Sequence, residues 1–250
     1  MSFVAYTMSA GGAVGGVDPR VRVALTVAFS VVVVMSGEFP VLGLQLAVAI
    51  ALVVAARLPL GPTCKRVLTV DAFVVATLML LPFTVEGTAA FSLGPLVASH
   101  EGLLRAAAIA LRANAVILVV LALLGTMEAG TLGHALGHLG VPVKLTQLFL
   151  FTVRYIGVLE CEYARLRRAM KARAFRIRNG RHAYRGIGYL LGMLLVRSLE
   201  RSERIVAAMK CRGFSGRFHT LAPHAMGRCD AVALAAGGAV LGVFLWLEWG

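Results

Sequence analysis

Two short stretches of this 250-residue chain share a pattern that could do chemistry. Ala172-Arg173-Ala174-Phe175 and Cys211-Arg212-Gly213-Phe214 each set an arginine between two small residues, followed by phenylalanine. Small neighbours leave the guanidinium unobstructed. Its five N–H donors on a planar fork suit a carboxylate or the backbone carbonyls of a partner. The phenylalanine supplies an apolar anchor, and arginine and aromatic residues dominate interface energetics. The tetrads close a longer repeat. Residues 160–175 and 199–214, offset by 39, agree at six of sixteen positions, among them Arg165/Arg204, Met170/Met209 and Lys171/Lys210. Two copies on one chain imply two equivalent docking sites, such as the two subunits of a dimer. A plainer reading has two basic helix ends snorkelling at a lipid surface. A repeated tetrad is more than charge, which favours docking.

Other candidate chemistry is thinner. His134 and His138 lie four apart, on one face of a helix if residues 133–139 are helical, but two histidines without a third ligand make a weak metal site. Cys64, Cys161, Cys211 and Cys229 are scattered with no CxxC, which argues against a zinc site or a disulfide framework. There is no GxxxxGK[ST] phosphate loop, so ATP would have to be hydrolysed by another chain. No Ser/His/Asp grouping stands out. The expectation is therefore no catalytic residue, no resident metal and no cofactor.

The elements that must position the tetrads follow from composition. Hydrophobic residues make up 59% of the chain and charged residues 15%, with a net charge of +13. A soluble domain is about half apolar and a quarter charged, so a water-soluble enzyme and a disordered chain are both disfavoured. A helix needs about 20 largely apolar residues to cross a bilayer. Candidate spans are Val21–Met35, Val41–Ala56, about Val70–Val85, about Leu103–Leu124 and Ala231–Trp249. Gly37-Glu38-Phe39-Pro40 separates the first two as a polar turn. Residues 86–101 read as a Gly/Ser/Pro stretch. Arg112 and Asn114 fall inside the fourth span. An arginine there faces protein or water, with Asp71 a possible counter-ion, or snorkels to the interface with Arg105. Gly238 and Gly242 hint at a helix face that packs closely.

Charge sets the orientation. Arg20, Arg22, Arg57, Lys65 and Arg66 lie on one side, and Glu38, Glu86, Glu101 and Glu248 on the other. Cytoplasmic loops carry the Lys/Arg excess, which puts the N-terminus inside. Residues 1–12 lack the basic n-region of a secretory signal, so they are expected to be retained. Residues 125–230 are then cytoplasmic, and they hold 18 of the 25 basic residues against 6 acidic ones. Topology thus accounts for the positive charge, and nucleic acid is not required. The segment is too long for a structureless loop. Helical spacing over residues 143–171 and 187–212, broken at Asn179-Gly180, predicts two long helices that end in the tetrads. The expected fold is all-α: a polytopic membrane protein with about five spans, four in residues 1–124 and one in 231–250, around a helical cytoplasmic coupling region.

The paired motifs AMKARAF and AMKCRGF resemble the two Ala-Arg-Gly motifs of the transmembrane coupling subunit of energy-coupling-factor transporters, most closely the cobalt-type family CbiQ. Val17-Asp18-Pro19-Arg20, Arg154-Tyr155-Ile156 and residues 195–201 add weaker matches, and the resemblance runs over nearly the whole chain. It implies an inner-membrane protein that joins a separate substrate-binding membrane subunit, CbiM-like, to two ABC-type ATPase subunits. Arg173 and Arg212 would each dock into one ATPase, in service of cobalt or nickel uptake. The sequence departs from the family pattern at Ala174, where glycine is usual, and at Cys211, where alanine is usual. Both substitutes are small. Ala174 would restrict the backbone if a positive φ were needed there.

Three rival readings stay in view. A general coupling subunit could serve several vitamin-binding partners. A membrane enzyme acting on lipid would need acidic residues for metal–phosphate chemistry, and Asp71, Glu128 and Asp230 form no motif. A scaffold could bind acidic lipid or nucleic acid through residues 165–185, with steep salt dependence.

Overall fold

The computed structural model describes residues 13–58, 61, 63–64, 67–69, 74, 89–93, 96–173, 175, 180–214 and 227–249. Its elements are α1 (Pro19–Met35), α2 (Phe39–Ala55), β1 (Ala89–Leu93), β2 (Leu96–Ser99), α3 (His100–Leu123), α4 (Ala129–His138), α5 (Val143–Ala172), α6 (Arg181–Cys211) and α7 (Arg228–Trp249). The expected third span, with Asp71 and Pro82, falls outside the described residues except for isolated positions. The chain divides into two compact units, one over Val143–Ala225 and the other combining Thr7–Pro142 with Met226–Gly250.

In the second of these units, helix boundaries follow local chemistry. Asp18 caps α1 by accepting from the Arg20 N–H at 2.8 Å, and Pro19 fills the first turn, where its missing donor costs nothing. α1 stops at Met35 and α2 starts at Phe39 with Pro40 in its first turn, so the polar turn at Gly37 does break the two helices. The Ser99 side chain caps α3 through the Gly102 N–H. α3 and α7 are each long and apolar enough to cross a membrane, while α2 is a shorter apolar helix. At 17 residues, α1 and α2 each extend about 25 Å, less than a hydrocarbon layer of about 30 Å. The core gathers Phe29, Val33, Ala49, Val119, Ala122 and Phe244 from α1, α2, α3 and α7, with the Phe29 and Phe244 rings edge-on at 6.2 Å. Val27, Val31, Val34, Ile50 and Val54 remain exposed. An apolar core under an apolar exterior is the arrangement lipid requires, and the protein is an all-α membrane protein.

Polar side chains tie the ends of this unit. At one end the Asp18 N–H donates to Asp230 at 2.6 Å, and Arg22 donates to the Leu123 carbonyl at 2.6 Å and to the Thr126 hydroxyl. At the other, the Gly37 N–H donates to Glu248 at 2.6 Å and Arg112 donates to the Ser36 carbonyl at 2.6 Å. Arg112 therefore contacts the end of another helix. The close approach expected at Gly238 is shifted by one residue. A Cβ at Gly237 would meet Leu25 at 2.5 Å, whereas Gly238 and Gly242 face open space. Within residues 86–101 the expected loop is partly a hairpin: β1 and β2 pair antiparallel, Phe91 opposite Ala98 and Leu93 opposite Leu96.

Candidate functional site

The two tetrads close the two longest helices, α5 and α6. At the end of α6 the Phe214 N–H donates to the Met209 carbonyl at 3.1 Å and the Gly213 N–H to the Lys210 carbonyl at 3.0 Å. Gly213 sits at φ +78. Those two bonds with a left-handed residue make a Schellman cap, which consumes carbonyls the helix would otherwise leave bare. The end of α5 repeats the outer bond, Phe175 N–H to Met170 carbonyl at 3.1 Å, and the Arg173 N–H returns to the Met170 and Ala169 carbonyls. Ala174 lies outside the described residues. The small–Arg–small–Phe spacing thus encodes a helix stop: the arginine takes the cap position, glycine supplies the positive φ in the second copy, and the aromatic follows. Arg173 and Arg212 are both exposed at their helix ends, as are Ala172, Cys211 and Gly213.

The phenylalanines are turned into their own unit. The Phe175 ring lies against Gly186, where any side chain would collide with it, and 5.8 Å from the His182 ring. Phe214 lines an apolar groove of about 550 Å³ with Phe151, Tyr155, Ile205 and Met209. Each is half-buried. In this structure they brace the helix pair, and the exposed arginines are the groups free to meet a partner.

α5 and α6 run antiparallel. Phe175, just past the end of α5, touches the first turns of α6, and Phe214, just past the end of α6, lines a groove with Gln147 and Leu148 in the first turns of α5. The two arginines therefore lie at opposite ends of the pair, about 37 Å apart along α5 at 1.5 Å per residue. Between them Glu162 of α5 accepts a hydrogen bond from Arg197 of α6 and sits 3.7 Å from Arg165. That hydrogen bond holds the Glu162 carboxyl below its ordinary range, aided by the charges of Arg197, Arg165 and Arg201 and opposed by partial desolvation. Arg173 is about 16 Å from Glu162 along α5, and Arg212 about 22 Å from Arg197 along α6. Sequence reasoning missed this clamp. Its only signal was one of the few acids in a strongly basic stretch.

The rest of the pair is little buried. In α5 only Thr146, and in α6 only Ala183 and Leu190, are buried among the described residues. Tyr184, Tyr189, Leu195, Leu148 and Val143 are exposed. His134 and His138 are exposed on α4, and among the described residues no third His, Cys, Asp or Glu joins them.

Fold and helix pair together define an all-α membrane protein that carries a long antiparallel helix pair with matched cationic ends. Residues 14–221 match the sequence model of the family CbiQ, cobalt transport protein, and the chain belongs to that family. It is 26% identical over 248 residues to the energy-coupling factor transporter transmembrane protein EcfT of Listeria innocua, covering 93% of this chain and 92% of that one. The EcfT of Thermosediminibacter oceani is 23% identical, over 92% and 93%. The cobalt transport protein CbiQ of Rhodobacter capsulatus is 28% identical over 148 residues, 59% of this chain and 57% of that one.

Proposed function

We propose that the chain is the transmembrane coupling subunit of an energy-coupling-factor importer and is itself non-catalytic. Two ABC-type ATPase subunits would dock at its two cationic helix ends, one at Arg173 and one at Arg212, with Ala172, Ala174, Cys211 and Gly213 keeping each guanidinium clear. Movement of the ATPases on binding and hydrolysing ATP would pass through α5 and α6 to a separate CbiM-like substrate-binding subunit in the membrane, with cobalt or nickel as cargo. The observation that carries this reading is the matched pair of capped, exposed arginine ends at opposite ends of one antiparallel pair. One partner with a single site would leave the second copy without a use. A dimer of ATPases has a use for both. The basic residues Arg20, Arg22 and Arg57 support a cytoplasmic N-terminus, with about five spans.

The test is co-purification of the tagged chain with co-expressed ATPases, comparing wild type with Arg173→Glu, Arg212→Glu and the double variant. Each single variant is expected to lose most of the ATPase and the double variant all of it, with membrane insertion intact. Full retention by the double variant overturns the reading. Equal loss on replacing any basic residue of 165–185 favours a charge-driven scaffold.

A second reading has its own support. The relatives that align over more than nine-tenths of both chains are named EcfT, whereas the one named for cobalt aligns over little more than half. A general coupling subunit that serves several vitamin-binding partners would fit that pattern. Uptake of radioactive cobalt by the assembled complex, measured with each substrate-binding partner in turn, separates the two.

A further inference from the structure

The membrane unit contains an apolar slot of about 350 Å³ walled by α1, α2, α3 and α7. Leu25, Phe29, Leu52, Val119, Ala236 and Leu241 are among the residues that form it. It extends about 12 Å along α7, from Ala233 to Leu241, at 1.5 Å per residue. One end differs from the rest. There Arg22 enters the wall, 5% exposed, with its Nε lacking any hydrogen-bond partner. The partners of its terminal nitrogen, the Leu123 carbonyl and the Thr126 hydroxyl, are both neutral. The acids nearby are already engaged: Asp18 caps α1, and Asp230 accepts from the Gly227 and Asp18 N–H groups. Arg20, two residues away, is paired with Asp18 at 4.0 Å, which leaves Arg22 as the cation facing the slot.

We infer that the slot holds one acyl chain of an anionic phospholipid, with the headgroup at the arginine end. The walls offer an acyl chain what bulk lipid offers and ask for no hydrogen bond. The cation selects the headgroup: an arginine near the membrane surface attracts acidic lipid, and a buried guanidinium without a carboxylate is poorly compensated until an anion approaches. A polar metabolite would lose its hydration against these walls. A partner helix, about 10 Å across with its side chains, would have to open the close contact of Gly237 with Leu25. The narrow volume favours a single chain of methylenes.

The experiment uses the full chain reconstituted into vesicles of phosphatidylcholine and phosphatidylglycerol at three to one, extracted into mild detergent and weighed by native mass spectrometry. Wild type is expected to retain one phospholipid per chain, with the phosphatidylglycerol to phosphatidylcholine ratio raised about fivefold over that of the bilayer, from one to three to about five to three. Ala236→Trp, at an exposed position on the slot wall, fills the space without disturbing the core and should abolish retention of either lipid. Arg22→Gln should keep a retained lipid but lose the preference. Should that variant fail to insert, the Ala236→Trp result decides alone. Equal retention of the two lipids by wild type, or undiminished retention by Ala236→Trp, overturns the inference.

Discussion

In the membrane unit Val33, Leu42, Val119 and Phe244 are shut away from the surface, whereas α5 and α6 leave Tyr184, Tyr189, Leu195 and Leu148 open along most of their length. Both regions are helical and both carry apolar stripes. They differ in what completes them. The membrane unit fills its own interior and turns a second apolar layer outward. The helix pair is held by an ion cluster between its ends, two end caps and two inward phenylalanines, with little side-chain burial between. A helix as long as α5 draws most of its stability from packing against something else. Such exposed apolar surface marks an interaction site. A long helix pair with so small an interior is built to be finished by partners.

The two regions should respond most differently to truncation of a large apolar side chain. Phe244→Ala should cost about 3 kcal/mol or more in the membrane unit, through lost contacts and a residual cavity, read as a lower denaturation midpoint in detergent. Leu195→Ala on the exposed face of α6 should change the same midpoint by less than about 0.5 kcal/mol while weakening assembly with partners. Equal effects from both would mean that α6 is packed in the isolated chain.

The end cap of α6 follows in size. Gly213→Ala should cost about 1 kcal/mol, because an L side chain disfavours φ +78. Nothing lies within 4 Å of the new Cβ, so the cost is conformational only. Gly213→Asn should recover part of it, since asparagine tolerates the left-handed region. Hydrogen exchange at Phe214 and Gly213 reads the cap directly.

The ion cluster comes third. Glu162→Gln should speed amide exchange near residues 160–164 and 195–199 without unfolding the membrane unit. Acid should lower the protection of the same amides relative to their intrinsic exchange rate. With its carboxyl held low in the folded chain, Glu162 contributes fully above the ordinary glutamate value of about 4.3. The contribution declines as pH falls below that and is gone once pH passes the lowered folded value. Protection factors, with the intrinsic base-catalysed rate divided out, check the sign down a pH series; protection that holds or rises as pH falls through the glutamate range would contradict it. Smallest of all, Cys211→Ser at an exposed free thiol should leave stability and ATPase capture within about 0.5 kcal/mol of wild type.

How far the sequence can be read depends on whether a feature is local. The break at Gly37–Pro40, the helical class and the helix-ending tetrads rest on neighbours in the chain, and each is legible. The offset-39 repeat even points to equivalent ends, though not to their chemistry as caps. The hairpin between Ala89 and Ser99 reads as a loop, since Gly94-Pro95 signals coil as readily as a turn between two apolar runs. What stays hidden is non-local. Glu162 with Arg197, Arg22 with Leu123 and Arg112 with Ser36 are separated by 35, 101 and 76 residues, and no periodicity announces such pairs. The inward turn of Phe175 and Phe214 belongs to the same class. The ring of Phe175 lies against Gly186, eleven residues on, and no local pattern announces that contact.

The off-centre position of the Glu162–Arg197 contact has a mechanical consequence. If the helix pair tilts as a stiff body about that contact, its arms are about 16 Å toward Arg173 and about 22 Å toward Arg212. One angle of tilt then carries the Arg212 end about 1.4 times as far as the Arg173 end. Such a pair is a lever with unequal arms, and were the proposed ATPases to move its two tips by equal steps, the pair would have to turn as well as shift.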